Sequence, residues 1–151
     1  MRIALLTWAL QASLLPLPVA PKYLSLVTSV SAPTVKPGGV ISLFVDITPN
    51  PGIHVYAPGA KNYLPIALTL RPRAARPLRY PKADLLFFEP LNETVPVYQK
   101  AFRLIEDVAI ARTATPGATL TWTGTIDYQA CDDKVCYLPA SAPVSWTANV
   151  R

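Results

Sequence analysis

The chain has 151 residues and a net charge of +5, with 51% hydrophobic and 15% charged residues. This composition excludes an intrinsically disordered chain, because disorder accompanies low hydrophobicity and high net charge, and the length fits one domain with its own core. The 17 prolines argue against long helices, since a proline inside a helix costs about 3 kcal/mol.

The amino terminus has the features of an export segment. Arg2 precedes an apolar stretch from Ile3 to Leu15, which ends in a proline-rich exit. A positive start, a short apolar core and a helix-breaking exit favour a signal peptide. The apolar run over residues 3–20 also approaches the roughly 20 residues that span a bilayer, so a tether to the inner membrane is the alternative. We expect residues 1–22 to be this signal peptide or anchor and residues 23–151 to be one domain.

After this segment, apolar and polar residues alternate with a period of two in several short stretches. These stretches are ISLFVDITP from Ile41, PIALTLRP from Pro65, AFRLIEDVAIA from Ala101, TLTWTGTIDYQA from Thr119 and PVSWTANV from Pro143. Such alternation is typical of strands with one buried and one solvated face. Proline and glycine turns separate the stretches. We therefore predict an all-β fold, a single antiparallel β-sandwich over about residues 25–150.

Much of the positive charge lies in one stretch. Its basic residues are Lys61, Arg71, Arg73, Arg76, Arg79 and Lys82. A basic cluster can bind nucleic acid, but in an exported chain a solvated loop and strand edge is the simpler interpretation. We expect no nucleic-acid partner, and the charge favours instead an acidic protein or an anionic lipid surface.

Both cysteines lie in the segment YQACDDKVCYLP, at Cys131 and Cys136. The alternation before them places Tyr128 and Ala130 on the buried face, so we expect Cys131 on the wetter face, at the start of a tight turn. Facing residues at the base of such a turn come close enough for a disulfide. Closing a loop of about six residues contributes only about 2 kcal/mol. A redox pair and a structural bridge therefore both stay open.

The sequence contains few side chains that could bind a metal or catalyse hydrolysis. Structural zinc takes four ligands, mostly cysteine and histidine, whereas the chain has two cysteines and a single histidine, His54. The adjacent Asp132 and Asp133 are badly placed to complete a set, and no glycine-flanked serine suggests a nucleophile. We expect neither a metal nor a cofactor.

The charges next to the cysteines have opposing effects on a thiolate. Asp132 and Asp133 disfavour it, whereas Lys134 favours it. The local balance is negative, unlike the electropositive surroundings of a highly reactive cysteine. We expect the reduced pair to react slowly until a partner changes these surroundings.

The segments IDYQACDDKVCYLP, GIHVYAPG and FFEPLNETVPVYQKAFRL together resemble the amino-terminal domain of the DsbD family of thiol:disulfide interchange proteins. The resemblance implies an immunoglobulin-like β-sandwich in the periplasm. It also implies electron transfer from a thioredoxin-like domain to periplasmic disulfide isomerases and cytochrome-maturation thioredoxins. We accordingly expect thioredoxin-like donors and acceptors, and a component of a protein-disulfide reductase system rather than a self-sufficient enzyme. The alternative is an exported protein-binding sandwich whose hairpin disulfide is purely structural.

The resemblance also assigns roles to residues. It implies that Cys131 and Cys136 are the redox pair, that Cys136 forms the mixed disulfides, and that Cys131 resolves them. The strand from His54 to Tyr56 corresponds to a segment whose aromatic residues flank the pair. The remaining expected neighbours of the pair are Tyr128, Gln129, Asp132, Lys134 and Tyr137.

A cap loop over the cysteines is the last implied feature. The stretch Phe88 to Thr94 corresponds to it, with Leu91 or Phe88 in the place of the shielding aromatic residue.

Overall fold

The computed structural model describes residues 21–72, 76–89 and 92–151. All but the last two positions of the expected export segment therefore lie outside the described residues. Within these ranges, no helix has the length and apolar character needed to cross a membrane.

The described residues are almost entirely strands and loops. In chain order, the strands are β1 (Leu24–Val30), β2 (Thr34–Val35), β3 (Val40–Pro49), β4 (His54–Tyr56), β5 (Ala67–Arg71), β6 (Asp84–Phe88), β7 (Glu93–Tyr98), β8 (Phe102–Ala109), β9 (Thr119–Tyr128), β10 (Ala130–Cys131) and β11 (Ala140–Val150). They form sheets in the orders β1-β3-β8, β2-β11-β9-β5 and β10-β4-β7-β6. All pairings are antiparallel except that of β2 with β11. The predicted all-β sandwich in a single domain is confirmed.

The main core lies between the first two sheets. The apolar row of β3, which comprises Ile41, Leu43, Val45 and Ile47, is at most 1% exposed. The facing rows of β9 and β11 contribute Trp122, Ile126 and Trp146 to the same core. The Trp146 indole N–H donates a hydrogen bond of 2.9 Å to the Phe44 carbonyl, which joins the two sheets through a polar contact. The period-two pattern in the sequence thus identified the strands that build the core.

The third sheet has apolar residues on both faces. On one face Val55, Tyr98 and Ala130 join the main core. On the other face a second cluster forms around Tyr56, Val95, Val97 and Cys131. The two clusters together bury both sides of this sheet at β4 and β10, whereas β6 is partly exposed.

The sequence pattern missed the hairpin of β6 and β7. Its pairs run from Asp84 with Val97 to Phe88 with Glu93. The DLLFF stretch has no alternation, and Pro96 in the interior of β7 argues against a strand by the usual rule. Proline is tolerated there because its missing N–H falls at a position that does not bond β6.

One buried carboxyl interrupts the main core. Glu106 lies in the inward row of β8 between Leu104 and Val108 and is 4% exposed. Among the described residues, its Oε1 atom has no hydrogen-bond partner. Burial raises the pKa of Glu106, the charge of Asp107 raises it further, and Arg79 lowers it. The folded protein therefore binds a proton at Glu106 more tightly than the unfolded chain does.

We expect Glu106→Gln to stabilise the protein at pH 7. The folded-state pKa lies above the unfolded value of about 4.5, so ionisation reduces stability as the pH rises through and above that value. Removing the buried charge should raise the free energy of unfolding by on the order of 1 kcal/mol at pH 7, and the gain should shrink towards pH 4. Urea melts at both pH values measure it, with the exposed Glu89→Gln as the control. A gain that is the same at both pH values would contradict the prediction.

Candidate functional site

The two cysteines form a disulfide across a tight loop. Cys131 is bonded to Cys136, and their Cα atoms are 4.0 Å apart. The two residues also form an isolated antiparallel bridge. Backbone hydrogen bonds close the loop on both sides: Asp132 N–H donates to the Val135 carbonyl at 3.0 Å, and Tyr137 N–H donates to the Ala130 carbonyl at 2.9 Å. The tight turn expected from the sequence is therefore present.

Asp132 organises this loop. Its Oδ1 atom accepts the backbone N–H groups of Lys134 and Val135, each at 2.8 Å. Its Oδ2 atom accepts the Tyr137 hydroxyl at 2.7 Å. The Tyr137 bond first, and then the two backbone bonds, lower the pKa of Asp132 to about 2. The carboxylate is therefore charged throughout the physiological range and shapes the turn as an Asx-type cap.

The two sulfurs differ in access. Cys131 is 1% exposed, whereas Cys136 is exposed. The prediction that Cys131 lies on a wet face is wrong. Its side chain does point away from Ala130 and the main core, as the alternation predicts, but that face of the third sheet is covered by the second cluster.

The burial of Cys131 follows from a change of sheet. The strand β9 ends at Tyr128, Gln129 lies outside both strands, and β10 then pairs with β4 rather than with β11. The pairing of Cys131 with His54 places its side chain in the second cluster, among residues of β4 and β7. Solvent therefore reaches the disulfide from the Cys136 side.

Tyr56 contacts both sulfurs. Its hydroxyl oxygen lies 3.3 Å from the Sγ atom of each cysteine. Disulfide sulfurs carry no proton, so the tyrosine O–H is the donor. Tyr56 is 4% exposed. Burial raises its pKa, the charge of Glu93 raises it further, and Tyr63 lowers it. At neutral pH the hydroxyl therefore keeps its proton and can donate a hydrogen bond to sulfur.

Tyr63 and Glu93 extend this contact towards the β6–β7 hairpin. The rings of Tyr56 and Tyr63 stack with centroids 4.1 Å apart and an interplanar angle of 18°. The Tyr63 hydroxyl donates a hydrogen bond to Glu93 Oε1, which raises the pKa of Tyr63 to about 12. Sequence analysis missed Tyr63, and it included Glu93 only as part of the stretch expected to form the cap, without a role of its own. Tyr63 stands in a loop without periodicity, and nothing in the sequence indicates that this loop folds onto Tyr56.

His54 packs against Tyr56, and in the described part of the chain its ring makes no hydrogen bond to either sulfur. It is 9% exposed and packs edge-on against Tyr56 with ring centroids 5.6 Å apart. Burial lowers the pKa of His54, while the charge of Asp132 raises it. The imidazole is therefore neutral at pH 7.

A small cavity of about 60 Å³ adjoins the disulfide. Both cysteines line it, together with His54, Tyr56, Tyr63, Leu86, Phe88, Val95, Asp132, Lys134 and Val135. Phe88, from the stretch expected to form a cap, thus lies beside the disulfide. Leu91, the other expected shielding residue, lies outside the described residues.

The remaining predicted neighbours lie behind the loop. Tyr128 is 1% exposed, and its hydroxyl donates to the Lys22 carbonyl at 2.7 Å. Gln129 donates through Nε2 to the Tyr137 carbonyl at 3.2 Å, and Tyr137 stacks on Tyr23 with ring centroids 4.0 Å apart. These residues hold the chain on either side of the disulfide without lining the cavity.

Comparisons with known proteins agree with this site. The sequence model of the family described as "Thiol:disulfide interchange protein DsbD, N-terminal" matches residues 24–146, which include both cysteines. No curated protein matches the chain. A solved structure of a family 123 glycoside hydrolase from Clostridium perfringens aligns with a TM-score of 0.42 and 12% identity, over 83% of this chain and 27% of that chain. That likeness is too low to bear on function. The family match spans nearly the whole described domain, and the chain belongs to the DsbD amino-terminal domain family of thiol:disulfide interchange proteins.

Proposed function

We propose that this domain is a periplasmic electron relay. Its reversible Cys131–Cys136 disulfide would take two electrons from a reduced thioredoxin-like donor and pass them to an oxidised thioredoxin-like acceptor. The observation that carries the proposal is the asymmetry of the pair, since one sulfur is exposed and the other is buried beside a tyrosine hydroxyl. Membership of a periplasmic family that interacts with thioredoxin-like proteins supports it. The export segment in residues 1–22 and a tether through residues 3–20 are parts of the same proposal.

In the first half-reaction, the domain is reduced. A thiolate of the donor attacks the exposed Sγ atom of Cys136, the Cys131–Cys136 bond breaks, and Cys131 leaves as a thiolate. The Tyr56 hydroxyl stabilises the charge on the leaving sulfur by donating its hydrogen bond. The second thiol of the donor then attacks the donor sulfur of the mixed disulfide and releases Cys136. The donor ends as a disulfide, and its two electrons and two protons reside on the two cysteines of the domain.

In the second half-reaction, the domain is oxidised again. The Cys136 thiolate attacks a sulfur of the acceptor disulfide, and one acceptor cysteine leaves. Cys131 then attacks Sγ of Cys136, which re-forms the internal disulfide and frees the reduced acceptor. Cys136 is thus the nucleophile and Cys131 the resolving residue, and we propose that Phe88 shields the pair between encounters.

The assignment of roles predicts which single variant traps a partner. We expect Cys131→Ser to accumulate a mixed disulfide with a thioredoxin-like protein that lacks its own resolving cysteine and carries thionitrobenzoate on its remaining cysteine, because the Cys136 thiolate attacks that partner sulfur and thionitrobenzoate leaves. Cys136→Ser should accumulate little, because its remaining thiol is 1% exposed. Non-reducing electrophoresis and intact mass measure the yield. Equal yields from the two variants would refute the division of roles.

A working pair is also expected to have a moderate reduction potential. Structural disulfides of secreted proteins lie below about −300 mV, whereas exposed functional ones lie higher, so we expect this pair well above that value. Equilibration with glutathione or dithiothreitol buffers, followed by alkylation and mass measurement, determines it.

The reduction potential, together with the stability of a variant without cysteines, distinguishes a redox-active disulfide from a purely structural one. Replacing both cysteines by serine should leave a cooperatively folding domain, at a loss of no more than about 2 kcal/mol. A bond that stays oxidised in strongly reducing buffer, together with loss of cooperative folding in the double variant, would establish a staple instead.

The Tyr56 hydroxyl should accelerate reduction. A hydrogen bond to a charged group contributes about 1.5–3 kcal/mol, so we expect Tyr56→Phe to slow reduction of the disulfide by a thioredoxin-like donor by at least about tenfold. Stopped-flow mixing at pH 7 gives the rate. The control is Tyr98→Phe, because Tyr98 is equally buried at 4% and its hydroxyl donates to the Pro81 carbonyl instead. Equal slowing by both variants would show that the effect is general destabilisation.

A further inference from the structure

The strand β6 is one of the two edges of the sheet that carries Cys131, and β10 is the other. The order of that sheet is β10-β4-β7-β6, so within the described ranges no strand covers the outer side of β6. Two of its residues expose large apolar side chains, since Leu85 is 73% and Phe87 57% exposed. The alternate residues, Leu86 and Phe88, line the disulfide cavity. The strand β6 thus directs Leu86 and Phe88 towards the disulfide cavity, and it directs Leu85 and Phe87 towards solvent.

The register shows where the backbone groups of this strand point. Leu85 stands opposite Pro96, which has no N–H, and the Pro96 carbonyl accepts the Ala57 N–H at 2.9 Å on the far side of β7. Leu85 and Pro96 are therefore a pair without mutual hydrogen bonds. Such pairs alternate with bonded pairs in an antiparallel ladder. The N–H and C=O groups of Leu85 and Phe87 accordingly point outward, along the open edge.

The usual protections of an open edge are missing from this strand. Edges are commonly blocked by proline, lysine or an inward charge. Between Lys82 and Lys100, which bound the hairpin, the sequence contains no lysine or arginine but three carboxylates, at Asp84, Glu89 and Glu93, in a chain whose net charge is +5. An acidic, apolar edge in a basic protein complements a basic segment of another protein.

We propose that β6 is a docking edge at which the thioredoxin-like partner adds an extended, basic segment as a further strand. This inference rests on the proposed function for the identity of the partner. The added strand would pair with the outward backbone groups of Leu85 and Phe87 and pack apolar side chains on theirs, the mode known as β-augmentation. A stable dimer needs about 1,200–2,000 Å² of buried surface, which two exposed side chains on a five-residue strand do not supply. The edge therefore suits a transient electron-transfer encounter, which orients the partner beside the cavity wall that Leu86 and Phe88 form.

The decisive variants change the edge and spare the redox site. Leu85→Lys combined with Phe87→Lys removes both apolar contacts and repels a basic segment, and both positions are exposed, so the fold should persist. Leu85→Pro removes one outward N–H without touching the bonds between β6 and β7. The matched control is Val27→Lys, because Val27 is 61% exposed and lies on β1, an edge strand of a different sheet.

Disulfide exchange with a purified thioredoxin-like protein that reacts with the unaltered domain is the first measurement. We expect the double lysine variant to exchange about tenfold or more slowly at low salt, Leu85→Pro to be slowed as well, and Val27→Lys to be unchanged. Reduction by dithiothreitol should be the same for all four proteins. Equal rates with the protein partner would overturn the docking edge. Failure of the unaltered domain to exchange with any thioredoxin-like protein would instead remove the proposed function.

Amide hydrogen exchange tests the edge without redox chemistry. The probe is a synthetic peptide of about seven residues, alternating valine and threonine with a lysine at each end, added to the oxidised domain. We expect protection to rise at the amides of Leu85 and Phe87, to stay the same at Leu86 and Phe88, and to be lost when the end lysines are replaced by glutamate. Absence of protection would overturn the proposal. So would a concentration-dependent dimer that the double lysine variant abolishes, because the occupant would then be a second copy of the chain.

Discussion

The backbone pairing of Cys131 with His54 is the constraint on which the site depends. It draws the chain out of one sheet and into another within a single residue, Gln129. As a result, Ala130 enters the main core while Cys131 enters the second cluster beneath Tyr56. Cys136, five positions later, has returned to the surface. A local disulfide thereby acquires one protected and one accessible sulfur, and such an asymmetry suits a sequence of attack and resolution.

The polar groups around the pair include one carboxylate and one buried tyrosine hydroxyl. The carboxylate of Asp132 is held in its charged form by three hydrogen bonds, and Asp132 lines the disulfide cavity together with Lys134. In this field the buried Tyr56 hydroxyl is the one neutral donor within reach of both sulfurs among the described residues. A thiolate formed at Cys131 therefore depends on that hydroxyl more than it would in an electropositive site. In the proposed relay, slow exchange without a partner would keep the electrons on the domain until a partner is bound.

The β6–β7 hairpin connects recognition to chemistry. Phe88 and Leu86 line the cavity, Glu93 holds Tyr63 against Tyr56, and the outer edge of β6 is open. A partner strand added at that edge would contact the same hairpin whose residues line the cavity beside the disulfide. Docking and access to Cys136 are then properties of one structural unit rather than of two separate surfaces.

The sequence by itself determined the fold class, most of the core strands and the close approach of the two cysteines. Alternation with period two directly encodes which residues of β3, β9 and β11 face inward, and a local pair such as Cys131 and Cys136 needs no long-range information to be brought together. The residues with a recognisable family pattern, among them His54 and Tyr56, could also be placed near the pair. Only the tertiary structure decided the burial of Cys131, the contact of Tyr63 with Glu93 and the open edge at Leu85 and Phe87. Alternation reports the face on which a side chain lies, but whether that face is wet depends on what packs over it, and that is decided by segments far apart in the chain.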